Sequence, residues 1–122
     1  MSIPDKIKYM NKKSIKYEVG FADSEILSYE TNNDGLLIYL KCWNEKILHL
    51  QFVDCILFLI LDSWQISDIC ETADSQLLDK SLQKVYEIIP DQHPYKVFQF
   101  IDNEDDPVIE IACTNIIISV ND

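Results

Sequence analysis

The stretch NNDGLLIYLKCWNEKILHLQF, residues 32–52, decides the fold class, because two turns and two strands follow one another in it without interruption. Its first four residues are two asparagines, an aspartate and a glycine, which tolerate the positive φ angles of a tight hairpin. A second turn is predicted at Asn44-Glu45-Lys46. After it, Leu48, Leu50 and Phe52 fall at every second position, the period of a half-buried antiparallel strand that places His49 on its more polar face.

Alternating segments continue on both sides of this stretch and predict an extended antiparallel sheet. The further predicted strands cover residues 15–19, 25–30, 97–101, 109–113 and 116–120. The last two have apolar residues of opposite parity, which predicts a β-bulge or a turn at Thr114-Asn115. The unbroken apolar run from Cys55 to Leu61 has no alternation, so we expect a central strand covered on both faces.

Two segments between residues 62 and 89 have helical spacing. In the first, Ile66, Ile69, Cys70 and Ala73 recur at three- and four-residue intervals after a potential N-cap at Asp62. In the second, the apolar stripe is followed by Pro90, and either Asp74 or Ser75 supplies the cap. The stripe of the second segment consists of Leu78, Leu82, Val85 and Ile89.

The predicted fold class is therefore α+β, a mainly antiparallel and meander-like sheet with one or two helices packed on one face. Residues 1–14 form a lysine-rich lead, either a short helix or a mobile arm, and residues 15–122 form a single α+β domain. The length suffices for one domain with its own core, without disulfide or metal staples.

Charge is distributed very unevenly along the chain. There is no arginine, and five of the ten lysines lie in residues 1–17, which carry +4. The rest of the chain carries −15, for a net charge of −11. A strongly acidic body attracts basic partners and repels a phosphate backbone, so a basic protein partner is expected and nucleic acid is not.

The sequence contains no motif of an enzyme or of a cofactor site. Two glycines are too few for a phosphate-cradling loop or a dinucleotide fingerprint, and no Gly-x-Ser-x-Gly elbow occurs. The two histidines and four cysteines lack the close spacing of zinc ligands. We therefore expect no catalytic residues, no metal and no cofactor. The cysteines Cys42, Cys55, Cys70 and Cys113 are predicted to be reduced and mostly buried.

The densest negative charge lies in the turn before Pro107. The turn lacks the central glycine and the distal glutamate of a calcium-binding loop, which favours a solvated hairpin turn over a metal site. Together with Trp43, a large aromatic residue beside the second turn, its carboxylates are the predicted partner-binding residues. The carboxylates are Asp102, Glu104, Asp105 and Asp106.

In general character this chain resembles the small acidic immunity proteins of bacteria, which neutralise basic, nuclease-like toxins. The resemblance rests on size, acidity, a β-rich core, the lack of a catalytic motif and the carboxylates of residues 102–106, and not on a shared motif. It implies a protein-binding function. The alternative is a β-rich scaffold or ligand-binding domain that self-associates as a homodimer, through a strand edge or Trp43.

The sequence has no apolar segment long enough to span a membrane or to act as a signal peptide. We therefore expect no membrane association and a cytoplasmic location.

Overall fold

The computed structural model describes most of the chain from residue 12 onward. The residues described are 12–15, 17, 20–33, 35–60, 65–72 and 75–121. In chain order the secondary-structure elements are β1 Lys12–Ser14, β2 Ser24–Asn32, β3 Gly35–Lys41, β4 Ile47–Val53, β5 Leu57–Ile60, β6 Gln65–Ile66, β7 Asp68–Thr72, α1 Gln76–Val85, β8 Lys96–Ile101, β9 Pro107–Cys113 and β10 Asn115–Asn121.

The described strands form two antiparallel sheets of five strands each. The first sheet has the order β1-β7-β8-β9-β5 and the second β10-β4-β3-β2-β6. They pack face to face, and Phe52 of the second sheet lies with its ring centroid 5.7 Å from Phe98 and 5.9 Å from Phe100 of the first. One core of buried side chains from both sheets fills the space between them. The architecture is a β-sandwich. The antiparallel, β-rich class predicted from the sequence is confirmed, but the meander-like sheet is wrong, because the chain crosses between two sheets and strands distant in sequence become neighbours.

The helix α1 lies on the outer face of the first sheet. The hydroxyl of Ser75 accepts a hydrogen bond from the Leu78 N–H at 3.0 Å and so caps the first turn. Leu78 and Leu82 then pack against Val97 and Ala112. The predicted second helix is thus confirmed, although it ends at Val85, short of Pro90. As a consequence β8, which runs through the middle of the first sheet, is buried on both faces.

The opening stretch of the sequence folds as predicted. Asn32 pairs with Gly35 at the end of the β2–β3 hairpin, and Gly35 has a φ of +131°. In β4 the side chains at every second position are fully buried, and His49 lies on the half-exposed outer face. These fully buried residues are Leu48, Leu50 and Phe52.

The predicted first helix is wrong, since residues 65–72 form β6 and β7. Ile66 belongs to the second sheet and Ile69 to the first, and between them the N–H of Ser67 donates to the Ile101 carbonyl at 2.7 Å. Both Ile69 and its neighbour Cys70 are buried, because β7 is covered on both faces. Ile66, Ile69 and Cys70 are therefore spaced as on a helix because the chain changes sheets between the first two and because β7 is buried on both faces.

The strand predicted in the run from Cys55 to Leu61 exists, but it lies at the edge of a sheet and not at its centre. In the run from Cys55 to Leu61 only Leu57–Ile60 is a described strand, and it pairs with β9 at the edge of the first sheet. Leu59 is 46% exposed there. Only the inward residues of the run, Phe58 and Ile60, pack on the core, and the outward residues are partly exposed. The two-sided burial expected of it is found in β8.

The predicted break at Thr114-Asn115 is a change of sheet. β9 ends at Cys113, and Thr114 donates its backbone N–H to the Val53 carbonyl of the opposite sheet at 3.0 Å before β10 begins. At the other end of the chain, the first strand is Lys12–Ser14, which pairs with β7. The described residues of the strand predicted over 15–19, Ile15 and Tyr17, lie outside any strand. The rest of the lysine-rich lead, residues 1–11, lies outside the described residues, so the division at residue 14 stays a prediction. Among the residues described, no helix has the length and apolarity that crossing a membrane requires.

Candidate functional site

The turn between β8 and β9 is folded around the side chain of Asp102. Its Oδ1 accepts hydrogen bonds from the backbone N–H groups of Glu104 at 2.9 Å and Asp106 at 3.0 Å. The Asp102 N–H in turn donates to the Asp106 carbonyl at 2.9 Å, and Asp105 has a left-handed backbone with a φ of 63°. Asp102 therefore holds the turn, and the other three carboxylates of the predicted site are exposed on it.

Carboxylate oxygens of Asp102, Glu104 and Asp106 lie within 4.8 Å of one another. Calcium takes six to eight oxygen ligands, and this turn offers three carboxylates, one of which already accepts two backbone hydrogen bonds. This arrangement fits a turn that exposes negative charge to solvent better than it fits a cation-binding loop.

Trp43 lies on the turn between β3 and β4. The turn is closed by hydrogen bonds from the Cys42 N–H to the Lys46 carbonyl and from the Glu45 N–H to the Cys42 carbonyl, both 2.9 Å. Asn44 Oδ1 accepts the Lys46 N–H at 3.1 Å, and Glu45 has a φ of 67°. On this hydrogen-bonded turn Trp43 is 64% exposed. Its side chain is therefore accessible to a partner, and tryptophan is enriched among the residues that contribute most binding energy at interfaces.

The strand registers place both turns at the same end of the sandwich. Thr114 connects the Cys113 end of the first sheet to the Val53 end of the second, so these two ends lie together. The opposite ends, which bear the 102–106 turn and the Trp43 turn, therefore also lie together. A small cavity of about 140 Å³ brings the 102–106 turn next to the start of β2, since its lining includes Asn103 as well as Asp23 and Glu25. Glu25 in turn pairs with Lys41, the last residue of β3 before the Trp43 turn.

We call this surface the acidic end. It comprises Trp43, seven carboxylates and two lysines, Lys41 and Lys46, whose formal charges sum to −5. The carboxylates are Asp23, Glu25, Glu45, Asp102, Glu104, Asp105 and Asp106. Three of them were missed from the sequence, namely Asp23, Glu25 and Glu45. Glu45 could have been found from its place in the predicted turn beside Trp43. No local signal identifies Asp23 and Glu25, because only the pairing of Glu25 with Lys41 and with Gln65 brings their segment to this end.

The cysteines do not offer activated nucleophiles. All four are free thiols, buried except for the partly buried Cys55, as predicted. Burial raises the pKa of Cys55 to about 11 and that of Cys113 to about 12, so both thiols stay protonated at neutral pH. A thiol held in its neutral form is a poor attacking group, which favours a packing role for these residues.

The histidines also have local structural contacts. The His49 ring lies edge-on to Tyr39 at 4.7 Å between centroids, on the outer face of the second sheet. His93 Nδ1 accepts the Tyr95 N–H at 3.3 Å in the connection from α1 to β8. Neither histidine belongs to the acidic end.

Comparison of the chain with protein-family models, with curated proteins and with solved structures finds no match.

Proposed function

We propose that this chain is a protein-binding protein whose acidic end receives a basic protein partner. The observation that carries the proposal is the convergence of three separate segments, the β1–β2 connection with the start of β2, the β3–β4 turn and the β8–β9 turn, on one end of the sandwich. Each segment brings exposed carboxylates, and one of them also brings an exposed tryptophan.

The two kinds of side chain have complementary roles in such an interface. Carboxylates gathered on one surface steer a basic protein towards it and raise the association rate, an effect that salt screens. A tryptophan fills a pocket on the partner and contributes binding energy after the water has been expelled. Glu104, Asp105 and Asp106 supply the first role and Trp43 the second.

Within this class we infer an immunity-type role, the neutralisation of a basic nuclease-like toxin in the bacterial cytoplasm. Its support is the field of the molecule: a net charge of −11 on a small β-rich body competes with a phosphate backbone for a cationic site. Such a protein needs no catalytic residue, metal or cofactor of its own, and it binds neither nucleic acid nor a membrane.

The test is capture of a basic protein from the source cells by the immobilised full chain, followed by elution with salt. Wild-type protein is expected to retain a basic protein that elutes only at elevated salt. The double variant Asp105→Lys/Asp106→Lys is expected to lose it, while the double variant Glu87→Lys/Asp91→Lys retains it. The control changes charge by the same amount at exposed positions between α1 and β8, away from the acidic end.

The outcome that contradicts the proposal is equal retention by all three proteins, or no retained basic protein at all. Asp105 and Asp106 are exposed and Asp102 organises the turn, so the double variant is expected to keep the fold. A lysine at the left-handed position 105 adds mild backbone strain, so circular dichroism and thermal unfolding check that the fold is retained.

A second candidate is the self-associating scaffold, and one observation favours it. Apolar side chains are exposed on the edge strand β10, where Ile117 is 55% exposed and Val120 36% exposed. Dimerisation through this edge gives a sedimentation coefficient that rises with protein concentration and is insensitive to Asp105→Lys/Asp106→Lys. A monomer at all concentrations excludes this candidate.

A further inference from the structure

On one side of the sandwich, strands of both sheets have edges that no strand among the described residues fully covers. β5 is the outer strand of the first sheet, and β2 pairs with the short β6 only at Ser24 and Glu25. From Ile26 to the hairpin, no described strand pairs with the outer edge of β2. The two edges are neighbours, since the ring of Tyr29 lies edge-on to that of Phe58 at 6.3 Å between centroids.

The backbone of β2 offers hydrogen-bonding groups on this side. The pair that flanks a two-residue hairpin loop is hydrogen-bonded, here Asn32 with Gly35, and the ladder then alternates. Counting back along the strand, Glu30 and Ser28 face β3. The N–H and C=O groups of Tyr29 and Thr31 therefore face the open edge.

The side chains along this edge are exposed and partly apolar. Leu27 and Tyr29 are each 44% exposed, and Leu59 of β5 is 46% exposed. A cleft of about 280 Å³ lies at the hairpin end, lined by Thr31 and Leu36 of the second sheet, by Phe58 of the first sheet and by Cys55 just before it.

Isolated proteins usually protect such an edge with lysine, proline or a bulge. β2 and β5 contain neither lysine nor proline, and the bulge between Ile26 and Ser28 leaves residues 28–32 regular. The exposed charges along the edge and beside the cleft are instead the carboxylates of Glu30 and Asp54. An edge of this kind repels a second copy of the same acidic chain and attracts a cationic strand.

We propose that the open edge of β2 binds an extended, lysine- or arginine-bearing segment of a partner protein by strand addition. The segment pairs with the backbone of Tyr29 and Thr31, places apolar side chains against Leu27, Tyr29 and the cleft, and directs its cations to Glu30 and Asp54. This mode of binding takes its affinity from main-chain hydrogen bonds and its preference from alternate side chains. It does not rest on the acidic end, which is a separate surface.

The experiment uses the full chain and a ten-residue peptide of alternating lysine and valine as the probe. Amide hydrogen exchange of Tyr29 and Thr31 is expected to slow by about tenfold or more at saturating peptide, since two exposed N–H groups become bonded. A glutamate–valine peptide, and a lysine–valine peptide with N-methylated backbone on the pairing edge, are expected not to protect them.

Two variants locate the contact. Thr31→Pro removes the outward N–H without touching the β2–β3 ladder, and it is expected to weaken peptide binding by about tenfold. Thr31→Val keeps the N–H and is expected to bind as the wild type does. Thermal unfolding of both variants checks that the sandwich is intact, and the N-methylated peptide tests the same contact on the unaltered protein.

Several results overturn the proposal. Equal binding of the N-methylated peptide excludes strand addition, and so does peptide binding that Asp105→Lys/Asp106→Lys abolishes but Thr31→Pro leaves unchanged. A wild-type dimer that Thr31→Pro converts to a monomer assigns the edge to a second copy instead.

Discussion

Gly35 has a backbone conformation and a close contact that exclude every other residue. Its φ is +131°, and a Cβ at this position would lie 2.1 Å from the carbonyl oxygen of Phe52. Both atoms belong to the paired strands β3 and β4, so neither can move without breaking the ladder. The hairpin signal at residues 32–35 was therefore informative because the turn and the packing both require the same residue.

Gly35→Ala is expected to lower the free energy of unfolding by about 2 kcal/mol or more, through left-handed strain and the clash with Phe52. Gly20→Ala is the matched control, since nothing lies within 4 Å of its added Cβ. The control is expected to change stability by less than about 0.5 kcal/mol. Urea denaturation of the three proteins gives the comparison, and equal losses for both variants contradict the account.

Asp102 organises the acidic turn, and its neighbours contribute charge to the surface. Asp102→Ala removes the acceptor of two backbone N–H groups and is expected to destabilise the fold by roughly 1–2 kcal/mol. Asp102→Asn keeps an acceptor oxygen at the same place and is expected to retain most of that stability. The measurement is again denaturant unfolding. If the alanine and asparagine variants unfold at the same urea concentration, the side-chain hydrogen bonds do not hold the turn.

At the scale of elements, a strand with one buried face is easy to predict from its sequence, and a strand buried on both faces can be mistaken for a helix. β4 has one face on the core and one face open, so alternation identified it. β8 is covered on both faces and was still identified as a strand from its sequence, whereas β7 is also covered on both faces and its apolar residues do not alternate. Ile69 and Cys70, adjacent and both buried, accordingly mimicked a helix together with Ile66 of the other sheet.

The helix α1 was predictable because a cap and an apolar stripe coincide in it. Ser75→Ala is expected to cost about 1 kcal/mol of stability, since it leaves the Leu78 N–H without its acceptor. Ser75→Asp is expected to cost little, because it keeps an acceptor and adds a favourable charge at the helix N-terminus. Thermal unfolding compares the two, and a destabilisation by Ser75→Asp as large as that by Ser75→Ala excludes capping as the role of this residue.

At the scale of the whole molecule, the sequence sufficed for the β-rich class, the hairpin, the helix and the acidic turn. It did not show that the chain divides into two sheets, because the crossings at Ser67 and Thr114 depend on hydrogen bonds to distant strands. For the same reason it could not show that Glu25 and Glu45 share one end with Asp105. Membership of the acidic end is decided by register, which is a tertiary property.

We propose that charge at the acidic end recruits a basic protein. The most direct measurement is the association rate constant of the full chain with the retained basic protein, over a series of salt concentrations. For wild type and Glu87→Lys/Asp91→Lys the rate is predicted to fall steeply with salt. For Asp105→Lys/Asp106→Lys it is predicted to be about tenfold lower at low salt and to vary less with salt. The same rate and the same salt dependence for all three proteins would contradict the account.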